Sequence, residues 1–184
     1  VVELHGHVVE AAFSPHANFV IQKVVETLPI AQSIFVVNEI LDRAADIARH
    51  RFGCRIIIRL LEHASRETTT APLLEALLKY APELCRHAFG KYVMQAVLEH
   101  CSHSGYHRHQ IAMALHGSPN GAHSLLNNAM HRHASRVIES ALTYCDAEDK
   151  TFLCEELLRQ DDHTSQVAQN RFGSFVWKAM LERK

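Results

Sequence analysis

The tripeptide Arg51-Phe52-Gly53 returns as Ala88-Phe89-Gly90 and again as Arg171-Phe172-Gly173, and each copy introduces the same kind of apolar helix. Two further segments, Pro15-His16-Ala17 and Arg132-His133-Ala134, introduce that helix without the Phe-Gly pair. The five helices therefore begin 36, 37, 44 and 39 residues apart along the chain. A period in this range is typical of supersecondary units that stack on one another.

We call these five segments the motif helices and number the positions of each from its first residue. They cover Asn18–Glu26, Cys54–Glu62, Lys91–Glu99, Ser135–Thr143 and Ser174–Glu182. A short first helix is predicted before each one, over Gly6–Phe13, Asp42–Arg49, Pro82–Arg86, Ala122–Ala129 and His163–Gln169. A third helix is predicted after the first four, over Ile30–Leu41, Pro72–Lys79, His107–Leu115 and Ala147–Leu158. The predicted units are 2–38, 39–79, 80–116, 117–158 and an incomplete 159–184.

An apolar stripe along each motif helix predicts how the units pack. In the first motif helix, Val20, Ile21, Val24 and Val25 follow one another at the steps expected for one face of an α-helix. An isolated unit would leave this stripe in water, whereas a neighbouring unit would cover it, at roughly 25 cal/mol per Å² of apolar area removed. The repeated stripe predicts an all-α solenoid that forms a single domain over residues 1–184. Because the fifth unit lacks a third helix, we expect a fragment of a longer repeat domain.

Composition and charge narrow the class of protein further. The chain has 184 residues, of which 47% are hydrophobic, and a formal net charge of −1 at pH 7. This charge argues against a general polyanion binder, although it allows one basic face and one acidic face. No run of 18 apolar residues is present, which argues against a membrane span. The five cysteines form no CxxC pair and predict a reducing compartment.

The first, second and fifth positions of each motif helix carry the residues of greatest chemical interest. On an α-helix these positions lie within about 100° of one another, so they share a face. The second position carries a flat group in every unit, namely Phe19, Arg55, Tyr92, Arg136 and Phe175. A row of rings and guanidinium planes predicts a surface for flat ligands, and the bases of single-stranded nucleic acid are such ligands.

The first and fifth positions would then meet the edge of each stacked base. They are Asn18 and Gln22, Cys54 and Ile58, Lys91 and Gln95, Ser135 and Glu139, and Ser174 and Lys178. Glu139 is only an acceptor when ionised, which suits the two donors on the edge of guanine. Asn18 and Gln22 each supply a donor and an acceptor, which suits the mixed edge of uracil.

The motif helices, the Phe-Gly pair before three of them and the period of about 36 residues resemble the repeats of the Pumilio (PUF) family. The resemblance covers the chain from Gly6 to its end. It implies a right-handed α-solenoid of three-helix repeats that binds single-stranded RNA on its concave face, one base per repeat. The order of the five patterns is similar to that of the last five repeats of an eight-repeat Pumilio domain.

The family's base code carries over in full at two units. Asn18 with Gln22 matches the uracil pattern, and Ser135 with Glu139 matches the guanine pattern. Since such a domain reads RNA antiparallel to its own chain, the resemblance implies a preferred sequence 5′-N-G-U-A-U-3′, with a UGUA-type core.

Three units depart from the code. Ile58 stands where the adenine pattern of Cys54 expects Gln, which would weaken selectivity at that unit. Lys91 replaces the Asn that the uracil pattern of Gln95 expects. In the fifth unit Lys178 fits no pattern, and it is expected to contact an oxygen acceptor or a phosphate instead.

The resemblance also implies a biological role. It implies a cytoplasmic, monomeric regulator of messenger RNA translation or stability, with protein co-regulators on the convex face and with neither a cofactor nor a membrane. Two alternatives stay open. One is a nucleolar PUF-like protein of ribosome assembly with little base selectivity, which the three departures favour. The other is a protein-interaction solenoid of the armadillo or HEAT kind.

Catalytic and metal-dependent functions have little support in the sequence. No GxSxG, HExxH, Walker or GxGxxG motif is present, so we predict that the chain is not an enzyme. Cys101, His103, His107 and His109 lie close together, but their spacing is not that of a standard zinc finger. We predict an exposed histidine-rich loop without a metal there. His131 and His133, just before a motif helix, are predicted to pack or cap rather than to contact an RNA phosphate.

Overall fold

A computed structural model describes residues 2–64, 68–101, 105–118, 121–159 and 161–182 of the chain. Within these ranges the chain is helical and contains no strand. The α-helices are α1 (Val8–Phe13), α2 (Ala17–Thr27), α3 (Ile30–Ile40), α4 (Ala44–Arg49), α5 (Gly53–Ala64), α6 (Ala71–Leu78), α7 (Ala81–Arg86), α8 (Gly90–His100), α9 (Gly105–His116), α10 (Leu125–Ala129), α11 (Ala134–Tyr144), α12 (Ala147–Leu158), α13 (Asp161–Gln169) and α14 (Gly173–Leu181). Short 3-10 helices cover Val2–Leu4, Leu41–Arg43 and Thr68–Thr70.

The α-helices fall into repeated groups of three, as the sequence predicted. Helices α1–α3, α4–α6, α7–α9 and α10–α12 form four units, and α13 with α14 forms the described part of the fifth. The motif helices α2, α5, α8, α11 and α14 form one layer, in which each helix packs against the next. The third helices α6, α9 and α12 also pack in order, in a second layer. The predicted all-α solenoid is therefore confirmed.

Aliphatic side chains fill the space between adjoining units. The third position of the motif helix is completely buried in the second to fifth units, where it is Ile56, Val93, Val137 and Val176. The fourth position is completely buried in the first to fourth units, where it is Ile21, Ile57, Met94 and Ile138. Each such burial is worth about 1.5–3 kcal/mol. The stability of the array therefore comes from contacts between neighbouring units, as expected for a solenoid.

The two ends of the stack differ from its middle. Val20 was predicted to lie in the buried stripe, but it is 50% exposed, because it lies on the outer face of α2, which no described motif helix covers. The prediction for Val20 is therefore wrong. At the other end, Leu181 is 47% exposed, and it occupies an eighth position that is at most 3% exposed in the other units. Those counterparts are Val25, Leu61, Leu98 and Leu142.

Several helix boundaries differ from the prediction, and two of them have a clear local cause. Helix α10 begins at Leu125 rather than Ala122, because Ser124 is its N-cap and accepts a hydrogen bond from the backbone N–H of Asn127. Helix α9 ends just before Gly117, whose φ of 59° is a left-handed conformation that favours glycine. Turn chemistry, rather than apolar period, sets these boundaries.

The glycine before three of the motif helices permits a close approach to the preceding first helix. A Cβ atom at Gly90 would lie 2.9 Å from the carbonyl oxygen of Leu84, and one at Gly173 would lie 2.5 Å from that of Val167. Both distances are shorter than side-chain carbons tolerate. The Phe-Gly pairs therefore let the motif helix rest against the backbone of its first helix.

Candidate nucleic-acid interface

The second position of the motif helices is held away from the core. Phe19 is 56% exposed, Tyr92 48% and Phe175 43%. Arg55 is also exposed, and Arg136 is half-buried. Burying a Phe side chain stabilises a fold by about 1.5–3 kcal/mol. Each ring that stays exposed at this repeated position therefore does not contribute that stabilisation. Exposed apolar surface of this kind marks an interaction site.

Neighbouring units bring their second positions together. The guanidinium carbon of Arg136 lies 4.0 Å from the centroid of the Phe175 ring, in a cation–π contact between the fourth and fifth units. Since each motif helix packs against the next, the second positions follow one another along a single row. The stacking role of these residues stays a prediction.

In the first unit the two predicted base-edge residues bond to each other. Gln22 Nε2 donates to Asn18 Oδ1 at 2.7 Å, and Asn18 Nδ2 donates to the carbonyl oxygen of Ser14 at 2.7 Å. Both side chains are buried, Asn18 completely and Gln22 to within 9%. The side chains of Asn18 and Gln22 therefore already have hydrogen-bond partners in the absence of a ligand. A base edge must therefore exchange hydrogen bonds with them.

The second unit offers little to a base edge. Cys54 is buried, and its thiol donates to the carbonyl oxygen of Arg51 at 3.7 Å. Burial, only partly opposed by the charge of Arg55, raises the pKa of this thiol, so it remains a neutral and weak donor. Ile58 is half-buried and packs against the core. Ile58 cannot form the hydrogen bond that the Gln of the adenine pattern would give to the base edge, and the buried Cys54 thiol does not replace it.

In the third unit, the side-chain amide of Gln95 is hydrogen-bonded to the fourth unit. Gln95 Nε2 donates to Ser140 Oγ at 2.9 Å and to the carbonyl oxygen of Arg136 at 3.3 Å, both in the next motif helix. The ammonium of Lys91 lies 4.6 Å from the centroid of the Tyr92 ring of its own unit. Gln95 therefore ties two units together, and Lys91 places a cation on the face of a predicted stacking ring.

The fourth unit combines an unpaired group with an ion pair. Ser135 is completely buried, and its hydroxyl has no hydrogen-bond partner in the structure. Glu139 accepts hydrogen bonds from Arg136 Nη1 at 3.1 Å through both carboxylate oxygens. The same guanidinium contacts Phe175, so Arg136 joins the base-edge carboxylate to the next ring of the row. A buried polar atom without a partner is rare and marks either strain or a ligand site.

The fifth unit has the most exposed base-edge positions. Ser174 Oγ donates to the carbonyl oxygen of Arg171 at 3.2 Å. The ammonium of Lys178 lies 3.7 Å from a carboxylate oxygen of Glu182, and both side chains are mostly exposed. Exposed pairs of this kind contribute little, so Lys178 is free to turn toward another anion.

A second repeated position, which only the structure reveals as a set, lies four residues before the first position. Its side chain accepts hydrogen bonds from two backbone N–H groups, two and three residues further on, at distances of 2.8 to 3.4 Å. The five residues are Ser14, His50, His87, His131 and Asn170, and we call them the joint residues. His131, which was predicted to pack or cap, accepts hydrogen bonds from the backbone N–H groups of His133 and Ala134, whereas the side chain of His133, the N-cap residue of α11, forms no cap hydrogen bond. In the sequence the five joint residues share only a side chain that can accept hydrogen bonds, because their residue types differ.

Three of the joint residues are histidines that must be neutral to do this. An imidazole Nδ1 accepts a hydrogen bond only when it carries no proton. Burial, followed by the charge of Arg49, lowers the pKa of His87. Burial, followed by nearby positive charges of which Arg86 is the first, lowers the pKa of His131 to about 4. Both imidazoles are therefore neutral at pH 7, as the joint requires.

The described end of the segment predicted as a histidine-rich loop, from Gly105 to His109, is helical. His107 and His109 lie on α9, which begins at Gly105, whereas His103 lies outside the described residues. His109 Nδ1 is 2.7 Å from a carboxylate oxygen of Asp149, and this contact holds α9 against α12. The loop prediction is therefore wrong for these two histidines.

Other kinds of site were sought in the same part of the chain. Among the described residues, no three His, Cys, Asp or Glu side chains are placed to hold a metal ion. Burial raises the pKa of the Cys85 thiol to about 12 and that of Cys101 to about 11, so neither is a reactive thiolate near neutral pH. None of the described helices has the length and apolar character needed to cross a bilayer.

Comparison with known proteins gives the family. Residues 7–41, 43–78, 80–116 and 129–158 match the model of the Pumilio-family RNA binding repeat. A Puf4 mutant bound to the Cox17 RNA 3′ UTR recognition sequence has 23% sequence identity and a TM-score of 0.85, over 99% of this chain and 53% of its own. PUF-8 in complex with PBE-RNA has 23% identity and a TM-score of 0.86, over 98% and 52%. The Puf3 RNA binding domain bound to Cox17 RNA has 24% identity and a TM-score of 0.81, over 100% and 54%.

These structures share the fold of this chain, which spans about half the length of each. The curated proteins include no match. Because the family model matches well over half of the residues, this chain belongs to the family of Pumilio-type RNA-binding repeat proteins.

Proposed function

We propose that this chain binds single-stranded RNA along the surface of its five motif helices, one base per unit, and regulates messenger RNA after transcription. The observation that carries the proposal is the row of flat second-position side chains, which are exposed in four units and half-buried in one. Base stacking on such groups is worth about 1–3 kcal/mol per base and tolerates every base. The row supplies affinity, and the first and fifth positions supply selectivity.

The preferred sequence is 5′-N-G-U-A-U-3′, and its guanine has the clearest physical support. Among the side chains that the structure describes, Arg136 is the one that engages the carboxylate of Glu139, through a single guanidinium nitrogen. The N1–H and N2–H of guanine can take over both carboxylate oxygens, while Arg136 turns its plane onto the base. The half-buried setting of Glu139 makes this exchange stronger than it would be in water.

A binding titration with two RNAs tests this assignment. The first RNA carries the core 5′-U-G-U-A-U-3′, and the second has its guanine replaced by adenine, which lacks both donors. We expect the replacement to weaken binding by about 1.5–3 kcal/mol, the value of hydrogen bonds to a charged group. A matched control changes the first base of the core, which faces the fifth unit and its unmatched pattern. Equal affinity for the guanine and adenine RNAs would reject the role of Glu139.

A second candidate is a PUF-like RNA binder of ribosome assembly that has little base selectivity. The specific observations in its favour are the apolar Ile58, the Lys91 ammonium over the Tyr92 ring, and the amide of Gln95, which is already bonded to the fourth unit. Competition against an RNA of the same composition in scrambled order separates the two. The scrambled RNA competes poorly if the chain reads sequence, and equally well if it does not.

The proposal extends to the cellular setting of the chain. We infer that it acts in the cytoplasm as a monomer without a cofactor, and that protein co-regulators bind on the convex face. Light scattering on the purified chain tests the monomeric state, and fractionation of cells tests a cytoplasmic against a nucleolar location.

A further inference from the structure

The beginnings of the motif helices carry positive charge only, whereas their second halves carry both signs. From five residues before the first position up to the second position, the five units together carry cations and no Asp or Glu. The cations are Arg49, Arg51, Arg55, Arg86, Lys91, Arg132, Arg136 and Arg171. The ninth position carries a glutamate in four units, namely Glu26, Glu62, Glu99 and Glu182. A chain with a net charge of −1 therefore has one strongly basic edge on its motif-helix layer.

Three of these cations occupy the same place in their units. Arg51, Arg132 and Arg171 lie three residues before the first position and are exposed, and we call them the rim arginines. None of them has an ion-pair partner among the described residues. The guanidinium carbons of Arg51 and Arg171 lie 4.8 and 5.5 Å from the ring centroids of Phe52 and Phe172, which follow them directly.

Each rim arginine lies between the end of a first helix and the beginning of a motif helix. The backbone dipole favours a cation at the end of a helix and disfavours one at the beginning of the next, so the two effects oppose each other at the rim. Three exposed arginines that repeat this placement, without a carboxylate to pair with, therefore indicate an external anion.

Arginines of this edge also lower the pKa of two joint histidines, His87 and His131. The charge of Arg49 adds to burial in lowering the pKa of His87, and the charges of Arg86 and Arg132 add to burial in lowering that of His131. Among the charges that shift these two pKa values, none is a carboxylate. Arginines of the second, third and fourth units therefore lie near the joint histidines of the third and fourth units.

The row of second positions lies between this edge and the ninth-position glutamates. A rim arginine comes four residues before the second position, which is about one helical turn. The ribose and phosphate of a stacked nucleotide lie to one side of its base. At the ninth positions Glu26, Glu62 and Glu182 already form ion pairs. The rim arginines form none within the described part of the chain, and guanidinium groups bind phosphates as planar forks.

We propose that the rim arginines bind phosphate groups of the RNA backbone, so that the strand runs along the beginnings of the motif helices and its bases point toward the fifth positions. This inference rests on the RNA binding proposed above and adds to it the side on which the backbone lies. The rim supplies affinity that does not depend on sequence, whereas the base-edge residues supply selectivity.

Two triple variants that remove the same charge test the proposal. The first changes all three rim arginines to Gln. The control changes three exposed cations outside the motif helices and their joints, Arg43→Gln, Lys79→Gln and Arg159→Gln. Binding of the 5′-U-G-U-A-U-3′ RNA and of its guanine-to-adenine version is titrated at several salt concentrations, and circular dichroism confirms that each variant is folded.

We expect the rim variant to lower the slope of log Kd against log salt by about 2, because each phosphate contact contributes about 0.7 for a single strand. The advantage of the unmodified protein should then shrink about a hundredfold between about 0.05 M and about 0.5 M salt. The control variant should keep the full slope. The ratio of affinities for the two RNAs should be the same in the rim variant as in the unmodified protein.

The outcomes separate this inference from the base code. If the rim variant keeps the slope of log Kd against log salt of the unmodified protein, the rim arginines do not bind phosphates, even if the variant still prefers the guanine RNA. A reduced slope without any preference for guanine supports the rim and rejects the base code. A protein that binds neither RNA rejects both. If the triple variant does not fold, Arg132→Gln alone should still lower the slope by about 0.7.

Discussion

The first and fourth units both carry a complete base pattern, yet they hold their polar groups in opposite ways. In the first unit, Gln22 donates to Asn18 and Asn18 donates to the backbone, so the network is local and closed. In the fourth unit the Ser135 hydroxyl has no partner, and Glu139 is held by Arg136, which also contacts the fifth unit. The resting state of the first unit is therefore set within one helix, whereas that of the fourth depends on its neighbour.

This difference has a consequence for ligand binding. A base that enters the first unit exchanges one satisfied set of hydrogen bonds for another, so its net gain is small. A guanine that enters the fourth unit releases an ion pair of limited value and gains two hydrogen bonds to a carboxylate. We therefore expect the fourth unit to contribute more selectivity than the first.

The largest effect should come from removing what the units share, the flat second position. The double variant Phe19→Ala with Tyr92→Ala should weaken RNA binding by about 1–3 kcal/mol for each ring. Both rings are exposed, so the fold should survive. Tyr106→Ala is a matched control, because Tyr106 is 60% exposed but lies on a third helix. A folded double variant with unaltered RNA affinity would favour a protein-interaction solenoid instead.

The next effect sharpens the role of the fourth unit. Glu139→Gln should reduce the preference for guanine over adenine by about 1.5–3 kcal/mol, because an amide cannot accept both donors of guanine. Glu99→Gln makes the same chemical change at a ninth position and should leave the preference intact. Titrations of both variants with the two RNAs provide the measurement. A Glu139→Gln variant that still prefers guanine as strongly as the unmodified protein would contradict the assignment.

The difference between the hydrogen-bond networks of the first and fourth units can be measured through the free energy of unfolding. Asn18→Ala should lower the free energy of unfolding by about 1–3 kcal/mol, since it leaves the buried amide of Gln22 without an acceptor. Ser135→Ala should change it by less than about 0.5 kcal/mol or raise it slightly, because the lost hydroxyl had no partner to leave behind. Urea unfolding of both variants decides the matter. Equal losses in the two variants would refute the contrast.

The smallest effect concerns the joint residues and appears as pH dependence. The pKa of His131 in the folded chain is about 4, below the ordinary 6.5, so the unfolded chain binds more protons between these values. The stability from the neutral imidazole is therefore complete above about pH 6.5 and is lost as the pH falls toward about 4.

A substitution at the same joint tests this. His131→Asn keeps an acceptor of the kind that Asn170 provides in the fifth unit. It should change stability at pH 7.5 by less than about 1 kcal/mol, the usual value of a cap. It should also make the fall in unfolding free energy on acidification shallower. A variant with the same pH slope as the unmodified protein would show that His131 does not carry the effect.

Much of the fold could be predicted from the sequence because each unit repeats the same local information. The Phe-Gly pairs, the apolar stripe and the flat second position recur at one period, so a weak signal in one unit is reinforced by the others. The errors occurred where this repetition fails. Val20 lies on a face of α2 that no described unit covers, and the start of α9 falls beside a segment with no apolar period.

The candidate site divides in the same way. The sequence alone determined which positions carry flat groups and which pairs match a base pattern. Only the tertiary structure decided which polar groups are already engaged. Gln95 donates to Ser140, and Arg136 contacts Phe175, although each pair is some 40 residues apart in the chain. Stacking of the units brings these side chains together, and no local pattern can specify a hydrogen bond between residues that only packing makes neighbours.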